Sequence, residues 1–441
     1  MIIFKKRYEK IRELYYRIMG TYNLVWSFRG IFLALSGLLR KLPDDVDYLF
    51  ICHDVHRHSK VDDKAYAPLL DPIVTELSTF GRCLTLAAPF STLYGEQCFG
   101  DVRNYNFIVL HAMIKRAIFN RSLKLLTTEH DPLIKAYANM LSMIGPKIII
   151  GIQPSIELCV AAKQHDITVF DMQHGVISDV NYYSLVKRQQ FDQVGWPDAV
   201  LCWDKVSADR VKKLSSGYVK SRIIGNPAYH SKYGIRMKSH HRSGKLLNEE
   251  YTTNILVTLT YQDFDSRISY LRNFRDEFFV GIGIPKQLVD LINSSPEIFW
   301  RLRLHPVQTK FNQQKVHEFL DRTFVRSENI DWIHFSAVPL SAALSECSGH
   351  ITVDSAASVD AAQNGVPTLL VSCPGWSDKA KVYEHFGEYI AADVMKFTDA
   401  SELSRRSLSF FTEKRAGSTS DSNSKSETAY RNFIKSVRAI G

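Results

Sequence analysis

The sequence of 441 residues is short of the features that mark several large protein classes. Its longest apolar run, Gly30 to Leu39, covers ten residues between Arg29 and Arg40, well under the roughly 20 that a transmembrane helix requires. No membrane-spanning segment is therefore expected. The seven cysteines, at 52, 83, 98, 159, 202, 347 and 373, form no CxxC pair and show no metal-ligand spacing. Several lie in apolar surroundings, as in YLFICH and AVLCWD, which fits reduced, buried thiols. No small-residue cleavage site follows an apolar core near Met1, so a cytoplasmic location is expected. Walker A, GxGxxG, HExxH and GxSxG motifs are all missing. P-loop ATP hydrolysis, standard NAD binding, zincin proteolysis and an α/β-hydrolase elbow lose their support with them.

What remains is an ordinary globular composition, 45% hydrophobic and 23% charged, with ample material for a core. The net charge of +9 raises nucleic acid as a partner, but the excess gathers near the N-terminus and around residues 228–252, without a reader motif. Acidic glycans, an anionic nucleotide-sugar or phospholipid headgroups account for it equally well, and no nucleic-acid partner is expected.

Residues 1–42 form a basic amphipathic extension. Lys5, Lys6, Arg7, Lys10, Arg12 and Arg17 alternate with Phe4, Tyr8, Leu14, Tyr15, Tyr16 and Ile18. Such a segment suits the surface of an anionic inner membrane; a helix packed on the following domain is the plainer alternative. From residue 46 short apolar runs alternate with helix-compatible stretches. Strands are expected at Asp47–Cys52, Arg82–Ala87, Phe107–Leu110, Lys147–Ile152, Thr168–Met172, Ala199–Trp203 and Arg222–Ile224. A polar, basic linker at 229–252 precedes a second series at Asn254–Thr260, Trp300–Leu304, Asp331–His334, His350–Val353, Thr368–Val371 and Tyr389–Ala391. The expected fold is thus α/β: two Rossmann-like domains, 43–228 and 253–415, facing a cleft. Residues 416–441 read as a flexible Ser-rich tail, Ser418–Thr428, closed by a helix at Ala429–Ala439.

Two motifs in the second half point to phosphate. In Trp300-Arg-Leu-Arg303-Leu-His305-Pro306 an apolar strand ends in a histidine, and proline starts the next element. In His350–Val353, Asp354, Ser355, Ala356 and Ser358 a strand runs into a helix that stops near Gly365, before Pro367. A hydroxyl and free amides at a helix start suit an anion. A core histidine and an ordinary capped helix would look the same locally; the pairing of the two motifs is the more specific signal.

This pair resembles the nucleotide half of GT-B glycosyltransferases that use CMP-sugars, namely the bacterial sialyltransferase-like and Kdo (3-deoxy-manno-octulosonic acid) transferases. The CDP-glycerol glycerophosphotransferases share a similar pair. The resemblance extends to Phe170-Asp171-Met-Gln173-His174-Gly175, Ala199–Asp204 and Ile223-Ile-Gly225-Asn226-Pro227 in the first half, covering residues 46–395. It implies a CMP-sugar donor, Kdo or a related acidic sugar, and a glycan or lipid-linked glycan acceptor in lipopolysaccharide or capsule synthesis. His305 and Ser355 would contact the nucleotide phosphate, with Arg303, Pro306 and Ser358 beside them. Ala356 departs from the frequent Ser-Ser pair, and Ser358 is the one neighbour able to compensate.

Transfer at an anomeric carbon requires a carboxylate, as nucleophile in a retaining enzyme or as base in an inverting one. Asp263 is the favoured nucleophile, with Glu157 and His174 handling protons or the acceptor. Gln173, Gln262, Asp265, His53 and Lys60 are assigned to the donor and acceptor cleft, and Asp71 and Tyr66 to its rim. Asp263-Phe-Asp265 also reads as a DxD metal motif, and His53-Asp54-Val-His56-Arg-His58 as a ligand cluster. A single departing phosphate can be neutralised without metal, so neither metal nor cofactor is expected. The rivals are a CDP-glycerol or CDP-ribitol phosphotransferase and a non-catalytic subunit of a glycan-synthesis complex.

Overall fold

The computed structural model describes residues 42–53, 56–57, 59–88, 97–119, 131–177, 195–230, 251, 253–259, 279–280, 284–305, 313–324, 328–353, 355–372, 379–391, 395–403, 410–411 and 420–440. Two parallel sheets with helices on both faces organise them. The first is built from β1 (Tyr48–Cys52), β4 (Cys83–Ala87), β5 (Val102–Arg103), β6 (Ile148–Gly151), β7 (Thr168–Met172), β8 (Ala199–Cys202) and β9 (Lys220–Ile223), while β2 (Ser59–Val61) and β3 (Lys64–Tyr66) make a separate small hairpin. Its order is β5-β4-β1-β6-β7-β8-β9, every pair parallel. Helices α1 (Asp71–Leu77), α2 (Asn106–Phe119), α3 (Pro132–Ile144), α4 (Ile156–Lys163), α5 (Lys205–Leu214) and α6 (Pro227–His230) accompany it.

The second sheet contains β10 (Thr253–Thr258), β13 (Ile298–Arg303), β14 (Ile330–Asp331), β15 (Gly349–Thr352), β16 (Thr368–Ser372) and β17 (Met395–Asp399). A two-stranded piece, β11 (Phe279–Val280) with β12 (Ile284–Pro285), stands apart from it. Its order, β14-β13-β10-β15-β16-β17, is again wholly parallel. The accompanying helices are α7 (Lys286–Ser294), α8 (Gln313–Thr323), α9 (Ile333–Ala337), α10 (Leu340–Ser345), α11 (Ala357–Gln363) and α12 (Lys379–Ala391), and α13 (Ser420–Arg438) ends the described chain. In each sheet the order runs outward in both directions from the first strand, the Rossmann arrangement, which opens a crevice at the carboxyl ends flanking that strand.

The sequence dictates this because the central strands are apolar on both faces. Leu49 and Ile51 of β1 point into one core with α2, α3 and α4, while Tyr48, Phe50 and Cys52 point into the other. Such strands must be covered twice, which a parallel sheet with crossover helices provides.

Four expected elements differ. Phe107–Leu110 is the first part of α2, not a strand. Tyr105, Val109 and Ala112 are buried at helical spacing, while Phe107 and Ile114 face outward. Tyr389–Ala391 ends α12, in which Val382, Phe386 and Tyr389 form the buried stripe; the edge strand is Met395–Asp399. At Asp331–His334 the strand stops at Asp331, whose carboxylate accepts from Ile333 N and starts α9. The Ser-rich tail is helical from Ser420 onward. The basic extension 1–41 and most of the linker, residues 231–250, lie outside the described residues. Among the described residues no helix is long and apolar enough to cross a membrane.

Helix α13 returns to the first sheet. Tyr430, Phe433, Ile434 and Val437 join the core formed by Tyr48, Phe50 and Phe170. The Phe433 ring meets that of Phe170 edge-on, 6.1 Å between centroids, and the Arg438 guanidinium lies 3.5 Å over the Phe80 ring. Truncating a buried phenylalanine costs about 3–5 kcal/mol. Phe433→Ala is therefore expected to lower the urea stability of the first domain by that amount; a loss under about 1 kcal/mol would mean that the helix does not seal this core.

Candidate active site

The two motifs expected to face phosphate occupy the predicted strand ends. β13 and β15 flank β10 on opposite sides, in register with Thr258 beside both Arg303 and Thr352. His305, two residues past β13, and Ser355, three past β15, thus leave the same edge of the sheet on either side of the central strand. Two strand spacings separate those strands by about 10 Å, a span that one phosphate-bearing ligand can bridge.

Each is held by its own surroundings. Arg303 is buried and its Nη1 donates to the carbonyls of Phe335 and Val338, at 2.5 and 2.6 Å. The arginine expected beside the nucleotide is thereby committed to fastening β13 to the α9 region. Leu304 N donates to Ser336 Oγ at 3.0 Å, which fixes the backbone just before His305. The His305 imidazole is half-buried, and burial pulls its pKa down to about 4, so it is neutral at pH 7. Ser355 Oγ accepts from Ala357 N at 3.3 Å, leaving its hydroxyl hydrogen for another acceptor. Ser358 does not compensate for Ala356: it is fully buried and its hydroxyl donates back to the Ser355 carbonyl at 2.8 Å.

The QHG turn of the first domain meets this helix start. A Cβ built on Gly175 would lie 3.9 Å from Ala356 Cβ, and Val176 packs with Val359, Leu370 and Phe386 of the second domain. His174 is therefore carried toward the Ser355 side of the cleft. Its ring stands 5.0 Å from that of His56, centroid to centroid, in an edge-on pair. Burial also pulls His174 down to about 4. Gln173, expected to line the cleft, instead builds the turn: its Oε1 accepts from Trp203 N, and its Nε2 donates to Gly175 O and Ser207 Oγ. It is 1% exposed and has no amide group left for a ligand. Asp171, wholly buried, accepts from Gln153 N at 2.9 Å, bracing the β6 and β7 ends in the same way.

The remaining candidates separate. Glu157 lies on α4, where its carboxylate pairs with Arg116 of α2 at 2.9 Å, so it serves the helix layer on one face of the sheet. Asp71, assigned to the rim, is buried in a bidentate pair with Arg57, at 2.9 and 3.0 Å, and accepts from Ala67 N as well. Tyr66 is buried too, and Lys60 is exposed on the β2–β3 hairpin. His53 follows β1, where its carbonyl accepts from His56 N at 2.9 Å. Gln262, Asp263, Asp265, Pro306, Asp54, His58 and Asp354 lie outside the described residues. Among the described residues no three His, Cys, Asp or Glu side chains are grouped to hold a metal ion.

The sequence reading assigned no role to a buried polar group where the domains meet. Asn226 follows β9 and its Oδ1 accepts from Ala228 N, capping α6, while its Nδ2 donates to Asp360 Oδ1 at 2.8 Å. The Tyr229 hydroxyl is hydrogen-bonded to the same carboxyl, and Arg303 lies within electrostatic reach of it. A second set of bonds joins α5 to α12: Asp204, the cap of α5, accepts from the Tyr389 hydroxyl at 2.8 Å, and Arg210 pairs with Glu388.

No family model and no curated protein matches the chain. Solved structures do match its fold. They include UDP-GlcNAc 2-epimerase of Methanocaldococcus jannaschii in complex with UDP-GlcNAc and UDP, with a TM-score of 0.54, 12% identity, and coverage of 88% of this chain and 99% of that one. UDP-N-acetylglucosamine 2-epimerase of Rickettsia bellii gives 0.52 at 10% identity, covering 90% and 96%. The wall teichoic acid polymerase TagF gives 0.51 at 12% identity, covering 95% and 99%. The chain thus has two Rossmann-like domains in the GT-B arrangement, and at these identities the likeness is one of fold.

The depressed histidines make a stability prediction with a definite sign. Imidazoles near 6.5 when unfolded and about 4 when folded bind fewer protons in the native state between those values. Their contribution is present above pH 6.5 and lost on acidification. His305→Gln removes one such group, so the variant should gain on the wild type by about 2 kcal/mol between pH 6.5 and 5 in urea unfolding of the second domain. A pH-independent difference would mean that His305 is hydrated and titrates normally.

Proposed function

We propose that this protein is a GT-B-type glycosyltransferase that takes Kdo or a related acidic sugar from a CMP-linked donor and delivers it to a glycan acceptor in surface-polysaccharide synthesis. One observation carries the reading. His305 and Ser355 flank the central strand at one sheet edge, and the QHG turn of the opposite domain packs against the residue after Ser355. The phosphate then lies between His305 and the Ser355 hydroxyl, while the first domain, through His174 and His56, receives the acceptor. The fold neighbours described as bound to UDP-GlcNAc and UDP support a nucleotide-linked donor in a chain of this architecture.

In this reading the second domain binds and the joint between domains reacts. Neutral His305 donates one hydrogen bond to a phosphate oxygen and Ser355 a second, so negative charge on the departing CMP is stabilised where it develops. Anion binding raises the affinity of His305 for a proton and gives the leaving group a cationic partner. Neutral His174 orients the acceptor hydroxyl. The carboxylate comes from the segment after β10, with Asp263 as nucleophile or base and Asp265 beside it.

The likeness to the teichoic acid polymerase, which spans 95% of this chain, favours as second reading a phosphotransferase acting on CDP-glycerol or CDP-ribitol. Both reactions release CMP, and only the second puts phosphorus into the product.

Calorimetric titration with CMP, CDP, UMP and UDP in two buffers of different ionisation heat tests the reading. Selective binding of CMP with net proton uptake, the uptake lost in His305→Gln, is expected. Equal binding by both proteins with no uptake would remove His305 from the site. Preference for UDP would remove the CMP donor, and no binding of any nucleotide would leave a non-catalytic role. With CMP-Kdo as donor, His305→Ala should lower CMP release by about 100-fold or more, the scale of losing one preorganised donor.

A further inference from the structure

The group at Asp360 joins three of the motifs singled out in the sequence. Asp360 sits on α11, the helix that begins just past Ser355. Arg303 ends the strand that leads to His305, and Asn226 with Tyr229 belongs to the Gly-Asn-Pro turn and short helix that close the first sheet. Its carboxyl is thus shared by two elements of the first domain and faced by one of the second. On its own helix, Asn364 Nδ2 donates to the Asp360 backbone carbonyl at 2.7 Å and leaves the carboxyl to the joint. The titratable or charged groups that face it are Tyr229 from α6 and Arg303 from β13.

We propose that Asp360 is a positioning residue of the domain joint: its carboxyl ties the Asn226–Tyr229 segment to the helix that begins just past Ser355, and its proton controls how often that tie opens. The physical reason is the difference in surroundings. Closed, the carboxyl is buried against one amide, one phenol and a committed arginine. Opened, it meets water. Burial pushes its pKa up to about 7, and the Tyr229 bond, the Arg303 charge and the Asn226 bond hold it back from going higher.

The sign follows from linkage. Hydrated in the open joint, the carboxyl returns to the ordinary carboxylate range. The closed joint therefore holds the proton more tightly and is favoured as pH falls. From pH 4 to about 7 opening grows with pH, and above that it levels off. The arrangement that brings the QHG turn against Ala356 is thus tightest when Asp360 is protonated. Neither donor nor acceptor takes part, so this inference stands or falls separately from the glycosyl-transfer reading.

Hydrogen exchange measured by mass spectrometry on the whole protein reads the opening directly. The amides of Ala228, bonded to Asn226 Oδ1, and Tyr229, bonded to Asn226 O, are the reporters. After division by the intrinsic chemical rate, opening of the peptide 224–230 in the wild type should rise about tenfold per pH unit from pH 5.5 to 7 and flatten above. Asp360→Asn keeps an acceptor for Asn226 without a charge, so its opening should stay low and change less than twofold across the range. Tyr229→Phe removes a bond that favours the ionised form while leaving both reporter amides their acceptors, and should move the midpoint upward. A wild type without pH dependence, or an Asp360→Asn protein that keeps it, overturns the proposal. Should Asp360→Asn fail to fold, the Tyr229→Phe midpoint decides: an upward shift supports the inference and an unchanged one overturns it.

Discussion

Parallel pairing is the constraint from which the site follows. A parallel strand cannot be joined to its neighbour by a tight turn, so the chain must return through a crossover before starting the next strand. All carboxyl ends of a sheet then gather on one edge. Because each sheet grows outward from its first strand, crossovers on the two sides of that strand run to opposite faces, and a crevice opens between them. His53, Gln153 and the Asp171–Gly175 turn leave the first sheet at such an edge, and His305 and Ser355 leave the second. Chemistry-bearing residues distant in sequence meet because the topology leaves their loops nowhere else to go.

Among the described residues, buried polar side chains brace that frame. Arg301 of β13 is wholly buried, pairs with Glu346 at 3.1 Å and lies under the Phe335 ring at 4.3 Å. His350 of β15 sits between Thr258 and Thr368, its ring nitrogens at 2.9 and 3.3 Å from their hydroxyls. Gln173, Asp171, Arg57 and Asp71 likewise bond to backbone groups, a neighbouring hydroxyl or an opposite charge. Each satisfied group of this kind fixes one geometry, because any shift would leave a buried polar atom unpaired. His305 and Ser355 stand where that frame ends, past the carboxyl ends of β13 and β15 on either side of β10.

The strands were legible in the sequence because β1, β6, β8 and β16 are apolar almost throughout, and β7, β10 and β13 keep apolar runs around one or two polar residues. Phe107–Leu110 misled because four apolar residues in a row suit a strand as well as a helix. The helical stripe shows only when Tyr105 and Ala112 are included. Tyr389–Ala391 failed for the same reason at the end of a longer helix. His305 and Ser355 stood out in the sequence because each follows an apolar strand with a polar residue. Gln173 and Asp71 carried the same polar signal but turned inward, and polarity alone does not tell a bracket from a ligand contact. Asp360 was out of reach for another reason: its partner Asn226 lies 134 positions away in the other domain. The one hint was an acid within the otherwise small and apolar run Ala356–Ala362.

The return of α13 has a mechanical consequence. The chain passes from first domain to second between His230 and Tyr251, and back between Phe411, in the core of the second, and Tyr430, in the core of the first. Cutting the first crossing would therefore not separate the halves: the second would stay held to the first through α13, whose Tyr430, Phe433, Ile434 and Val437 are packed in the first domain's core. The chain's last helix thus acts as a rivet, keeping the start of α11 against the turn at Gly175.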